Sequence, residues 1–221
     1  QEPISVKDRS GEANVLSSKN NTKLTYNTGY TALYTPKDDE VSKATVIRAM
    51  AVDAEGNRSN VVTKTYFVGN DLAATYKNAS VISVVTDPDN LLDREKGIFR
   101  VENYENKGRE WERPAFVEYF DENGKRPFST EMGIRVHGGY SRHYGQKSLN
   151  LYFREEYGGL KNLKGYELIP GATNFDKTDK MKKYKNFMLR NGGNDTEYTK
   201  LQDVWIQSLV NDRDYTTQGA R

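Results

Sequence analysis

Apolar and polar residues alternate along the first half of the chain, which indicates β-strands. One alternating run is Thr45–Val52, and a second run, Val61–Val68, is rich in β-branched and aromatic residues. Between them, 53–57 predicts a turn in which Gly56 takes a positive φ. Because a two-stranded hairpin is marginal alone, we expect more strands to pack on this pair as a sandwich.

The second half of the chain also predicts strands. Ser80–Val85 is a near-continuous apolar run, which is typical of a strand covered on both faces. Asn123-Gly124 is a strong signal for a β-hairpin. The other predicted strands are Ala115–Phe120, Arg126–Thr130, Met132–His137, Ser148–Arg154 and Asn186–Arg190.

Helix signals are fewer. Asp87 and Pro88 predict the cap and first position of a short helix. The segment Thr196–Asn211 predicts a longer one, because apolar residues recur at i, i+4 and i+8 from Leu201. Strands followed by a late helix indicate an α+β fold for the second half.

Composition changes along the chain predict three segments. Residues 1–22 are a polar tail or edge segment, 23–70 an all-β module, and 76–221 a separate α+β domain. The chain begins at Gln1 without a signal-peptide pattern and stops at Arg221 shortly after the predicted helix. We therefore expect an excerpt of a longer polypeptide.

Charge and cysteine content exclude several function classes. Lys and Arg number 33 against 31 Asp and Glu, a net charge of +2 that argues against a strong binder of nucleic acid. No apolar run is long enough to span a membrane. The absence of Cys excludes disulfides, thiolate metal sites and cysteine nucleophiles.

One stretch, Arg135–Ser148, concentrates candidate chemistry. It joins a strand, a turn with Gly138-Gly139 and a second strand, and it contains three cations and several hydroxyls. Paired glycines let backbone amides approach an anion, and Arg or Lys supplies the opposing charge. The pattern is neither a Walker loop nor a kinase Gly-rich hairpin. These residues alone favour a solvated surface hairpin over a phosphate-binding loop.

Other candidates are weaker, and no metal site is predicted. His137 and His143 have no carboxylate partner at zinc spacing. The acidic cluster at Asp87–Asp93 lacks the central Gly and the bidentate Glu of a calcium loop, so helix capping is favoured. The basic run Lys177–Lys185 could meet an acidic protein substrate, although a solvated loop is the default interpretation.

Part of the first half resembles a known module. Thr45–Val52, Gly56–Ser59 and Val62–Tyr66 are similar to the chitobiase C-terminal-type Ig-like module of bacterial surface proteins. The family's early strand and turn are poorly kept around 26–34. The resemblance implies an all-β Ig-like sandwich for 23–70 that acts as a spacer without chemistry.

The second half resembles the CotH kinase family, atypical protein kinases named after a spore-coat protein. Gly133–Arg142 followed by Gln146–Leu149 is similar to the family's hallmark motif. Further matching runs occur in the family's order: Ser83–Leu91, Trp111–Ala115, Val117–Phe120, Leu189–Asp195 and Asp203–Leu209. The resemblance implies that 76–221 is the N-terminal part of an incomplete α+β kinase-like domain.

The resemblance also implies an activity. Family members transfer phosphate from ATP, with a divalent cation (Mg or Mn), to Ser or Thr of secreted, surface or coat proteins. Carried over by position, the ATP-phosphate ligands would be Arg135, Arg142, Lys147 and Ser141. Asp195 and Asp203 match acidic family positions near the helix start, although Asp195 serves equally well as a helix cap.

The remaining family acids, catalytic and metal-binding, are expected downstream of Arg221. We therefore expect this chain alone to be inactive. The expected location is secreted, cell-surface or spore-coat, with cell-wall or coat association. The alternative is a non-enzymatic surface, coat or carbohydrate-associated scaffold with a silent nucleotide pocket.

Overall fold

A computed structural model describes most of the chain, and the described part is rich in β-strand with few helices. This confirms a β-rich fold. None of the helices in this part is long and apolar enough to cross a membrane. The described residues are 2–16, 36–69, 75–76, 79–174, 176–195, 198–210 and 219–220.

The described strands form one five-stranded and two two-stranded sheets. The five-stranded sheet has the order β3-β4-β5-β6-β9, and the smaller sheets pair β1 with β2 and β7 with β8. The strands are β1 (Thr45–Ala49), β2 (Val62–Tyr66), β3 (Val81–Val85), β4 (Arg113–Phe120), β5 (Phe128–His137), β6 (Ser148–Phe153), β7 (Leu163–Lys164), β8 (Lys183–Tyr184) and β9 (Asn186–Leu189).

Short helical segments connect these strands. Helix α1 is Pro88–Leu92, and the Asp87 side chain accepts a hydrogen bond from the Asp89 amide, which confirms the predicted cap. Helix α2 is Gln202–Val210. The 3₁₀ turns are Asp38–Glu40, Arg109–Trp111, Tyr140–His143, Glu155–Tyr157 and Gly193–Asp195.

The first predicted hairpin is confirmed. β1 and β2 pair antiparallel, with Thr45 opposite Tyr66 and Ala49 opposite Val62. Gly56 in the connecting turn has a φ of 87°, the left-handed conformation that the turn requires. The earlier part of the predicted module, 23–35, lies outside the described residues.

Two predicted strands, Arg126–Thr130 and Met132–His137, are one continuous strand, β5. The prediction of a break at Glu131 was wrong. Along β5 the buried residues Phe128, Thr130 and Met132 alternate with less buried ones, and Glu131 falls on the less buried face. A polar residue at that position therefore keeps the strand period of two.

Ser80–Val85 was predicted to be a strand covered on both faces. β3 lies at the end of the strand order, and all five of its residues are half-buried, so both faces are partly covered.

Helix α2 confirms the predicted helix over Gln202–Val210, whereas residues 198–201, also predicted as helix, are not helical. Thr196, Glu197 and Asn211 lie outside the described residues. The apolar stripe is exposed to solvent, with Leu201 62%, Trp205 65% and Leu209 58% exposed.

The chain divides into two compact units. The sequence-based domain boundaries at 22, 70 and 76 stay predictions. Unit 1 comprises Gln1–Lys19, Thr35–Thr86 and Ala115–Thr130. Unit 2 comprises Asp87–Pro114 and the described residues from Glu131 onward.

A buried carboxylate organises unit 1. The Glu118 side chain on β4 is fully buried and accepts a hydrogen bond from the backbone amide of Thr65 on β2 (2.7 Å). Its other oxygen accepts from Nη1 of Arg126 (2.5 Å). The Thr65 hydroxyl also bonds that of Ser83 on β3 (2.8 Å). Glu118 thus supplies the acceptor that a neighbouring strand would otherwise give to β2.

The two faces of β5 and β6 have different roles in unit 2. Met132, Ile134 and Leu151 are fully buried on one face. Because side chains alternate, the opposite face carries Arg135, which lies directly across from Asn150 on β6. This register places a cation on the strand face opposite the apolar core.

We predict that Glu118→Gln lowers the free energy of unfolding by about 3 kcal/mol, because a charged hydrogen-bond acceptor is lost from a buried ion pair. Chemical denaturation measures the change. Glu55→Gln, an exposed site in the 53–57 turn, is the matched control and should stay close to wild type. Equal stability of the two variants would contradict the structural role of Glu118.

Candidate functional site

Unit 2 contains a cavity of about 170 Å³ beside strands β5 and β6. Its lining combines cations, amides and aromatic rings, and none of its lining residues is acidic. The lining residues are Ile98, Asn103, Tyr104, Asn106, Lys107, Gly108, Trp111, Arg135, Val136, Arg142, Asn150 and Tyr152. The site therefore has the character of a small anion-binding pocket.

Arg135 lines the cavity from strand β5. Its guanidinium carbon lies 4.2 Å from the centre of the Tyr152 ring, and its Nε lies 3.5 Å from Oε2 of Glu112. None of the described residues accepts a hydrogen bond from this guanidinium, and Nε is buried. Nε faces the Glu112 carboxylate, and no described hydrogen bond uses the two Nη groups, so an anion in the cavity would accept from these Nη groups.

Glu112 fixes the position of Arg135. It follows the 3₁₀ turn Arg109–Trp111, and its side chain is fully buried. Nε and Nη2 of Arg154 donate to its two oxygens at 3.1 and 3.2 Å, and the Tyr157 hydroxyl donates at 3.2 Å. The bond to Glu112 raises the pKa of Arg154. The carboxylate is therefore held rigidly against the Arg135 guanidinium.

Tyr152 completes this support. The centre of its ring lies close to two guanidinium groups, 4.2 Å from that of Arg135 and 4.9 Å from that of Arg154. Such cation–π contacts are attractive and restrict the Arg side chain without consuming its N–H donors. Arg135 is thus oriented by contacts that leave its donors available.

Arg142 lines the same cavity but uses its donors on the protein. The side chain is buried in the turn Tyr140–His143, where Nε donates to the Gly138 carbonyl (2.6 Å). Nη1 donates to the carbonyls of Tyr104 (2.7 Å) and Asn106 (3.1 Å). Burial lowers the pKa of Arg142, but a guanidinium stays charged at neutral pH. Arg142 therefore joins two loops and adds positive charge to the wall.

Lys147 lies beneath that turn and outside the cavity lining. Its buried Nζ donates to the carbonyls of Arg142 (2.7 Å) and Tyr144 (3.0 Å) and lies 4.3 Å from the Tyr104 ring. Burial, followed by repulsion from Arg142, lowers its pKa to about 7. Its predicted contact with phosphate stays a prediction, and its described contacts support the turn.

Ser141 occupies the same turn and is absent from the cavity lining. Its carbonyl accepts hydrogen bonds from the Tyr144 amide (3.2 Å) and from Nδ2 of Asn191 (3.4 Å). Its hydroxyl fills the space where a Cβ on Gly138 would lie, and Gly138 has a φ of 116°. The first of the paired glycines is therefore required by the turn itself.

The two candidate acids lie near helix α2. The Asp195 carboxylate accepts hydrogen bonds from the amide of Gln202 (3.0 Å) and the hydroxyl of Thr199 (2.7 Å), which lower its pKa. These contacts give Asp195 the function of a helix cap. Asp203 forms an ion pair with Arg190. Neither carboxylate lines the cavity.

The two histidines make separate contacts. Nδ1 of His137 bonds Nδ2 of Asn150 (3.0 Å), and burial lowers its pKa. His143 pairs through Nε2 with Glu105 (2.8 Å) and lies near the Tyr104 hydroxyl. Within the described ranges, no group of three or more His, Asp or Glu side chains could hold a metal ion.

The structure thus brings Arg135 and Arg142 to one cavity and leaves the other sequence-predicted residues outside it. Glu112 and Tyr152 were missed as functional residues. Glu112 lies within the Trp111–Ala115 run, but its role depends on contacts with distant Arg135 and Arg154. Tyr152 lies two residues after Asn150, and this spacing places both side chains on one strand face.

Comparisons with protein-family models, curated proteins and solved structures return no match for this chain. The cavity and the sequence motifs are therefore the observations that bear on the function of this chain.

We predict that Gly133→Ala destabilises unit 2 by about 2 kcal/mol, because a Cβ at this position would overlap the Glu112 carboxylate, which Arg154 and Tyr157 hold in place. Thermal or chemical unfolding measures the loss. Gly11→Ala is the control, since nothing lies within contact distance of a Cβ there. If Gly133→Ala is as stable to unfolding as wild type, the Glu112 side chain is free to move.

We predict that Lys147→Met flattens the rise of stability between pH 7 and 10.5. The folded-state pKa of about 7 lies below the usual 10.5, so the unfolded chain binds more protons in this window. Wild-type stability should therefore increase with pH by up to about 1.4 kcal/mol per pH unit relative to the variant. This pH-dependent gain in the free energy of unfolding is lost as the pH falls towards 7.

Denaturant titrations at pH 7, 8, 9 and 10 measure both curves. Lys125→Met, at an exposed turn position, controls for the loss of one formal charge. Parallel curves for wild type and Lys147→Met would contradict the burial of the ammonium group.

Proposed function

We propose that this chain contains the phosphate-facing part of a CotH-type protein kinase, which transfers phosphate from ATP to Ser or Thr of a secreted, surface or coat protein. The observation that carries the proposal is the Arg135 guanidinium. It lines a cavity, forms an ion pair with Glu112 through Nε, lies against the Tyr152 ring, and uses neither Nη group in a described hydrogen bond.

A phosphoryl group has the chemistry that this cavity can recognise. Its oxygens accept hydrogen bonds from a planar guanidinium fork, and Arg binds them with two donors at once. Arg142 adds a second positive charge, while Tyr104 and Asn106 provide the carbonyls that hold Arg142 in place. Phosphoryl transfer depends mainly on positioning and charge stabilisation, which suits this arrangement.

The size of the cavity limits what enters it. Pockets for drug-sized ligands usually measure about 300–1,000 Å³. A cavity of about 170 Å³ fits one phosphoryl group, and the rest of a nucleotide would lie outside it. The described residues do not offer ligands for Mg or Mn, so no step through a metal ion is derived.

The roles of the remaining candidates follow from their contacts. Lys147 would act on the phosphate site through the Tyr140–His143 turn, whose carbonyls it binds. Asp195 would keep helix α2 in place through its bonds to Thr199 and Gln202. Under this proposal the catalytic acids belong to residues downstream of Arg221.

The proposal extends to the rest of the chain. We propose that 23–70 is an Ig-like spacer and 76–221 the N-terminal part of the kinase-like domain, in a protein located outside the cell or in the spore coat. The antiparallel pairing of Thr45–Ala49 with Val62–Tyr66 supports the spacer, because the motif similarity covers these strands.

A second candidate is a non-enzymatic scaffold that binds phosphate or a carbohydrate at this cavity. It is favoured by the engagement of Asp195 and Asp203 in local contacts and by the absence of acidic residues from the lining. The two candidates differ in one measurement. The protein extended beyond Arg221 should transfer the terminal phosphate of ATP to itself or to Ser-rich peptides if it is a kinase, and should not if it is a scaffold.

We predict that Arg135→Gln weakens binding of inorganic phosphate or ATP at least tenfold, because charged hydrogen bonds contribute about 1.5–3 kcal/mol. Isothermal titration calorimetry at fixed salt measures the change. Arg94→Gln is the matched control in unit 2, since its side chain is 83% exposed and outside the cavity. Unchanged affinity in Arg135→Gln would refute the phosphate site.

A further inference from the structure

A group of exposed lysines lies in the segment that connects β6 to β9. β7 and β8 pair antiparallel within this segment, and their register places Lys164 directly opposite Lys183. Lys185 follows one residue after β8 and is also exposed. We call Lys164, Lys183 and Lys185 the basic patch.

The charges of the basic patch are not neutralised by the protein. Among the described residues, no carboxylate forms an ion pair with any of its three lysines. The nearby Lys180 and Lys182, in contrast, form ion pairs, because the Nζ atom of each lies within 3.6 Å of Oε1 of Glu167. Like charges directly opposite each other on paired strands are destabilising, so an external anion that bridges Lys164 and Lys183 would be favoured.

The geometry of the patch suits an extended chain. Lys164 and Lys183 are exposed on one face of the paired strands, and their neighbours Leu163 and Tyr184 are buried on the other. Residues two apart in an extended chain are separated by about 6.6 Å. A peptide with Asp or Glu at alternate positions presents carboxylates at the same interval.

We propose that the basic patch is a docking surface for an acidic, extended polypeptide segment. This surface is separate from the phosphate cavity, since none of its lysines lines that cavity. A nucleic acid duplex fits less well, because its charges are more closely spaced than carboxylates at alternate peptide positions. The small net charge of +2 also disfavours binding to a polyanion.

The test is fluorescence anisotropy with a labelled twelve-residue peptide that alternates Glu with Ala and contains no Ser or Thr. At low salt we expect Lys164→Gln/Lys183→Gln to bind about three- to tenfold more weakly than wild type, since each exposed ion pair contributes modestly. The control is Lys7→Gln/Lys125→Gln, which removes the same charge at exposed positions in unit 1. It should bind as wild type does.

Three results would overturn the proposal. They are an equal loss of affinity in the patch and control variants, no measurable peptide binding by wild type, or tighter binding of an oligothymidylate with the same number of charges. Circular dichroism of each variant confirms folding, and Lys185→Gln provides an independent single substitution. The patch variant should bind inorganic phosphate with the same affinity as wild type. A loss of peptide binding is therefore distinguishable from a loss of the phosphate site.

Discussion

The buried carboxylate of Glu112 is the contact on which the candidate site depends. It binds Arg154 through both oxygens, accepts from Tyr157 and lies against Arg135, which is fixed from the other side by the Tyr152 ring. A buried carboxylate is stable only with such partners, and removal of either side leaves an uncompensated charge. The same constraint explains why β5 has a glycine, Gly133, beneath Glu112.

The cations of the central motif divide into two roles. Arg142 and Lys147 donate to backbone carbonyls and hold the turns around the cavity, whereas Arg135 stacks on an aromatic ring and keeps its donors available. This division follows from where each side chain lies. A cation within a turn meets carbonyl groups at close range, but a cation on a strand face meets the side chains of the neighbouring strand.

Local sequence patterns predicted most strands, because alternation depends on neighbouring residues alone. The predicted break at Glu131 was wrong because continuity of β5 depends on the strands that lie alongside it, and the local alternation of residues does not specify these neighbours. The apolar stripe of α2 was likewise visible in the sequence, whereas the exposure of Trp205 depends on what packs against the helix.

The sequence by itself determined that the chain is β-rich, that a strand covers Met132–His137, and that cations and glycines cluster between Arg135 and Ser148. Only the tertiary structure decided which of these cations faces the cavity. Glu112 precedes Arg135 by more than twenty residues, Tyr152 belongs to the next strand and Arg154 directly follows it, so their convergence depends on sheet register. Charge neutralisation and desolvation act between residues that are close in space, and the sequence order does not specify that proximity.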